Sequence, residues 1–165
     1  MRGKRLHRRG HARRHGKGRI GVAAGPALAV LVLFLALGRA GDGTLAADSA
    51  WALVSRDALL VIDVRTDHEW LSTGLPEMAI GISLAGEGAA FFVDAVLEAV
   101  DGDLSHPLAT ICASGVRSAR AADILRRHGF VEVYDVSEGM MGNGHRPGWI
   151  ERGLPLRAMD GGSDS

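Results

Sequence analysis

Lysine is absent after Lys17, acidic residues are absent before Asp42, and cysteine occurs once, at Cys112. Each scarcity excludes something. One cysteine rules out an intramolecular disulfide framework and any multi-cysteine zinc site. The 19 Lys and Arg balance 19 Asp and Glu, but the balance is divided along the chain. Nine cations and no carboxylate lie in residues 1–19, which leaves 10 cations against 19 anions for the rest. A chain whose basic residues sit in a head is no basic nucleic-acid-binding domain, which would carry its cations on the folded part. No internal repeat and no glycine-rich nucleotide loop occurs, and His68, His106, His128 and His145 are too scattered to suggest a metal site. Three head histidines, His7, His11 and His15, recur every four residues, but so basic a segment is a poor zinc ligand set. No cofactor and no metal are expected. At 47% apolar residues the chain is not disordered throughout. It has room for one domain of about 120 residues.

What is present divides the chain into parts. Residues 1–19 form a basic n-region, and residues 20–38 are 19 uncharged, mostly apolar positions. As a helix that stretch spans roughly 28 Å, the thickness of a bilayer's hydrocarbon. The pattern is that of an export signal or a signal anchor. The positive-inside rule holds the head in the cytoplasm and places the rest on the non-cytoplasmic, periplasmic side. Small residues around Gly38 offer weak cleavage sites, so an uncleaved anchor is favoured over an exported, clipped form. Residues 39–45 read as a linker, 46–157 as the folded domain and 158–165 as a polar tail.

Within the domain, apolar patterning alternates between strand and helix. Helical periods cover 46–55, with Trp51 and Val54 turned inward, and 89–100, with Phe92, Val96 and Val100 four apart. A third helix covers 118–128, where Gly129 stops it and His128 complements its carboxyl end. Thr66 followed by Glu69 is a capping box that starts a short helix. Strands are expected at 59–64, 79–84, 108–111 and 131–136. Alternation of this kind gives an α/β domain with a mainly parallel sheet, where function gathers at the carboxyl ends of strands.

Cys112 ends one such strand. The loop Cys112, Ala113, Ser114, Gly115, Val116, Arg117, Ser118 then leads into a helix. Successive backbone N–H groups and the positive end of a helix make an anion site, and such a field favours a thiolate, the nucleophilic form. Gly115 allows the loop to curl. Arg117 offers a guanidinium fork for an oxyanion. Ser114 and Ser118 supply hydroxyls, one for the sulfur and one for capping.

This loop, the segment Asp63-Val64-Arg65 with Glu69 and Trp70, and the ending Gly148-Trp149-Ile150 through Leu156 together resemble the rhodanese-like domains over about residues 46–157. The resemblance implies a three-layer α/β/α domain with a central, mainly parallel five-stranded sheet. It implies that Cys112 is the sulfur-carrying cysteine of a sulfurtransferase. The thiolate would take a sulfane sulfur from a small anionic donor such as thiosulfate, hold it as a persulfide and pass it to cyanide or a thiol. A non-enzymatic persulfide-sensing or protein-binding module is the alternative. Four residues separate Cys112 from Arg117, one fewer than in related cysteine phosphatases, and the shorter ring suits sulfur better than phosphate. Asp63, Arg65 and Glu69 match structural positions of the family, with Arg65 and Glu69 expected to pair. Departures fall at Gly74–Glu77, at Ser137-Glu138-Gly139 and in the Met- and Gly-rich stretch 140–147, where the pocket's rim is expected to change. Expected partners are the sulfur donor, the acceptor and, through residues 20–38, a membrane.

Overall fold

The computed structural model describes residues 43–86 and 88–159. The basic head, the apolar segment 20–38 and most of the polar tail lie outside them. Among the described residues no helix is long and apolar enough to cross a membrane.

Five short strands form one sheet: β1 (Thr44–Leu45), β2 (Leu60–Asp63), β4 (Ile80–Gly81), β5 (Leu108–Ile111) and β6 (Val133–Val136), in the order β1-β6-β5-β2-β4. Every pairing in it is parallel. Four helices connect them: α1 (Ala47–Val54), α2 (Asp67–Thr73), α3 (Ala89–Ala99) and α4 (Val116–Arg127). A separate antiparallel pair joins β3 (Leu75–Pro76) to β7 (Leu156–Arg157), which fastens residues 156–157 beside the segment that follows α2.

Alternation along the strands sends neighbouring side chains to opposite faces. Val61, Ala109 and Ile111 pack with α1, Met140 and Trp149 on one face. Ile62, Leu108 and Cys112 pack with Phe92, Val96, Ala121 and Leu125 of α3 and α4 on the other. The result is the expected α/β/α sandwich around a parallel sheet. Trp51 lies at the margin of the first core, edge-on to Trp149 with ring centroids 6.2 Å apart.

Several boundaries differ from expectation. Thr44 and Leu45, read as linker, form an edge strand paired with Asp135 and Val136. The strand expected at 79–84 is regular only at Ile80 and Gly81, though Ile82 and Leu84 N–H groups still donate to the Asp63 and Val64 carbonyls. Helix α4 starts at Val116 rather than Ser118, which moves Val116, Arg117 and Ser118 from the loop into its first turn. The capping box at Thr66 forms as expected: its hydroxyl accepts from Glu69 N–H while the Glu69 carboxylate accepts from Thr66 N–H.

Candidate functional site

Cys112 directly follows β5, continuing the face occupied by Leu108, and only 1% of its surface is exposed. Beyond it the chain turns through Ala113, Ser114 and Gly115 into α4. Gly115 sits at φ +96°, and a Cβ there would run into the Ser137 carbonyl oxygen. Only glycine satisfies both the left-handed backbone and the close approach. This geometry turns the Gly115 N–H back to the sulfur, with N···Sγ of 3.2 Å. The thiol therefore rests at the amino end of a 12-residue helix, where partial positive charge favours an anion.

A second segment holds the loop from outside. Met140 and Met141 N–H groups donate to the Cys112 and Ala113 carbonyl oxygens at 2.8 and 2.9 Å. Gly139, at φ +65°, lies so close that a Cβ would sit 2.6 Å from the Cys112 oxygen. The Cys112 and Ala113 carbonyls are thereby tied to this segment, while the Gly115 N–H faces the sulfur. Trp149 and Ile150 N–H groups then bond Gly139 and Met140 carbonyls, so the chain's Gly148-Trp149-Ile150 motif is the loop's outer support.

Arg117, in the first turn of α4, makes a two-point contact with Glu69 of α2, at 2.7 and 2.6 Å. Those hydrogen bonds, with support from Thr66, hold the Glu69 carboxyl down at about 2 against the opposing effect of burial. The same pairing pushes the Arg117 guanidinium up. The expected partner of Glu69, Arg65, is committed elsewhere. Its guanidinium is buried against Asp63, with Nη2···Oδ2 of 2.7 Å, and donates to the Gly74 carbonyl and the Thr73 hydroxyl. Asp63 and Arg65 thus clamp the carboxyl end of α2 to the end of β2, while Glu69 reaches the cysteine loop. Local spacing favoured an Arg65–Glu69 pair; the observed pair spans 48 positions, which no local pattern reveals.

The remaining loop positions divide by burial. Ser118 is buried, and its hydroxyl donates to the Gly115 carbonyl at 3.0 Å rather than capping an N–H. Gly115 is itself the N-cap residue, without a side-chain cap. Ser114 and Val116 are exposed at the loop's outer lip, and Ala113 is half-buried. No sequence pattern marks the role of Glu138. Fully buried, its carboxylate accepts from Ala47 N–H at the start of α1 and from Arg152 at 3.4 Å. An acidic residue in a glycine-rich turn reads as surface, and only burial against Arg152 identifies it as an anchor. No group of three or more His, Cys, Asp or Glu side chains suited to a metal gathers among the described residues.

The family described as Rhodanese-like domain matches residues 46–143. An uncharacterised protein of Rickettsia conorii is 32% identical over 106 residues, covering 62% of this chain and 86% of that protein. A tRNA uridine(34) hydroxylase of Nitrobacter hamburgensis is 33% identical over 89 residues, which are 54% of this chain but only 34% of that enzyme. Among solved structures, Rv0390 from M. tuberculosis superposes with a TM-score of 0.56 at 28% identity, over 71% of this chain and 98% of the other. The polysulfide-sulfur transferase of Wolinella succinogenes, a homodimer, has the same fold at 24% identity and a TM-score of 0.55, over 83% and 92% of the two chains.

Proposed function

We propose, from the premise that this chain belongs to the rhodanese-like domain family, that it is a sulfurtransferase whose sulfur carrier is Cys112. One observation carries the reading: the Gly115 N–H points at the Cys112 sulfur from the start of α4. A thiolate there attacks the outer sulfur of thiosulfate, the S–S bond of the donor breaks, and sulfite leaves with its electron pair. The carried sulfur then forms a persulfide, whose negative terminal atom meets the same N–H field. Cyanide or a thiolate attacks that terminal sulfur, and the bonding pair returns to Cys112. The loop residues Ala113, Ser114, Gly115, Val116, Arg117 and Ser118 bind the anionic sulfur through backbone N–H groups. Arg117, one turn from the sulfur and tied to Glu69, adds positive charge for a dianionic donor. Asp63, Arg65 and Glu69 support this frame.

Anchoring by residues 20–38, with the domain on the periplasmic side, is part of the same proposal and rests on the charge pattern of the head. Release of thiocyanate from thiosulfate and cyanide by the full-length chain tests the activity. The Cys112→Ser variant is expected to release none.

A second reading, a persulfide-sensing or protein-binding module without turnover, draws on the near-complete burial of Cys112. Stable sulfur loading with no transfer to cyanide or thiols would favour it. A phosphatase reading is disfavoured because four residues between Cys112 and Arg117 make a loop short for a phosphate.

A further inference from the structure

Helix α4 gathers positive charge on the side turned away from the core. It carries four of the nine arginines found from Gly41 onward, against one acidic residue, while that stretch as a whole holds 19 acids. Ser118, Ala121, Ala122 and Leu125 are its buried residues. The helical period therefore sets Arg120, Asp123 and Arg127 on the opposite side, with Arg126 at the margin. Asp123 pairs with Arg127 at 2.9 Å and with Arg126 at 3.5 Å. Arg120 is exposed and has no ion pair among the described residues. Three arginines less one aspartate leave this face two positive charges in excess.

The chain enters the domain beside the carboxyl end of the same helix. Gly43 and Thr44 line an open cavity of about 550 Å³ together with Arg120, Arg126 and Arg127. The Arg126 guanidinium donates to the Gly43 carbonyl at 3.3 Å and to the Val133 carbonyl at 2.9 Å. Asp135, on the strand paired with Thr44, also lines the cavity but is buried. Five residue steps lead from Gly38, the last residue of the apolar segment, to Gly43, and they reach at most about 18 Å. A membrane-embedded segment 20–38 thus holds Gly43, and the Arg126 bonded to it, within that reach of the membrane surface.

We infer that α4 docks on the membrane surface, with Arg120, Arg126 and Arg127 set against the phosphates of anionic phospholipids. The inference rests on the proposed anchoring by residues 20–38 and adds which side of the domain meets the lipid. Arginine suits this contact because its planar fork donates two parallel N–H bonds to a phosphate. The contrast in charge between α4 and the rest of the acidic stretch selects the side that turns to an anionic surface. The short connection then keeps that side in place, since it leaves the domain little freedom to carry α4 away.

Arginine modification by phenylglyoxal tests it on the full-length wild-type chain reconstituted in vesicles, with the rate at each arginine read by mass. One set of vesicles is phosphatidylcholine alone, and the other also contains phosphatidylglycerol. With phosphatidylglycerol at low salt, Arg120 and Arg127 should react about fivefold more slowly than in phosphatidylcholine, the scale of one arginine at an anionic surface. High salt should restore the faster rate, because it screens exposed charges. Arg146 is 70% exposed and lies between Met140 and Trp149, which belong to the core on the other face of the sheet. It should react equally in both lipids. Equal rates for Arg120 and Arg127 in the two lipids overturn the inference. If those equal rates are both slow beside Arg146, a second copy of the chain or another partner covers the face instead. Slowing of Arg146 to the same degree as Arg120 and Arg127 also overturns it. A chain that high salt strips from both kinds of vesicle overturns the anchoring itself, an outcome read by flotation before any arginine is modified.

Discussion

Glu69 stays ionised far into the acid range because Arg117 donates two hydrogen bonds to it and Thr66 adds others. A carboxyl held at about 2 when folded and near its ordinary 4.5 when unfolded stabilises the fold fully above about pH 4.5. That contribution is lost progressively as the pH falls towards 2. Both partners are partly exposed, so the pair contributes no more than about 1 kcal/mol. Urea unfolding at pH 7 and at pH 3 should therefore show a smaller acid loss in Glu69→Gln than in the wild type; an identical pH dependence would contradict the assignment. Asp63 and Arg65 differ in kind, since both are buried. Arg65→Ala strands a buried carboxylate, with an expected cost of about 3–5 kcal/mol in the same unfolding measurement. The residue types at the site were legible in the sequence, but not every partner. Cys112, Gly115 and Arg117 announce themselves by spacing within one loop. The pairing of Arg117 with Glu69 and of Glu138 with Arg152 joins residues from different elements, which only the folded chain brings together.

Helix α4 and the turn from Ser137 to Met141 act as two jaws on the cysteine loop. The jaws touch through backbone, which is why two glycines are needed where they meet. Gly139→Ala forces a left-handed alanine at a cost of about 1–3 kcal/mol and adds a clash with the Cys112 and Ala113 carbonyls. Thermal unfolding should report a loss of at least that size, and sulfur loading should slow together with it. A Gly139→Ala chain of unchanged stability would mean the jaws are not in contact. Elements rich in aliphatic residues were the readable ones, and β5 spans Leu108–Ile111, as expected. Of the four two-residue strands, only Ile80–Gly81 was readable, inside the expected 79–84. Thr44–Leu45, Leu75–Pro76 and Leu156–Arg157 carry no period of their own and are strands only because a distant neighbour accepts them. Helix α4 starts two residues earlier than its sequence pattern suggests, because Gly115 in the left-handed region turns the chain directly into it.

At the scale of the whole molecule, the even charge balance is made of unlike parts. Nine arginines oppose 19 acidic residues from Gly41 onward, so this part of the chain is net negative while the head is net positive. Under the proposed anchoring, the basic head would serve topology rather than ligand binding. The full-length chain should accordingly sediment with membranes, resist extraction by high salt and be released by detergent. Release by salt alone would contradict anchoring through residues 20–38. The central claim is that Cys112 carries sulfur, and the intact mass of the full-length chain before and after thiosulfate tests it most directly. The expected result is a gain of one sulfur atom, located on Cys112, absent from Cys112→Ser and removed by cyanide as thiocyanate. An unchanged mass on wild-type chain, with the Cys112 thiol shown to be free, would contradict it.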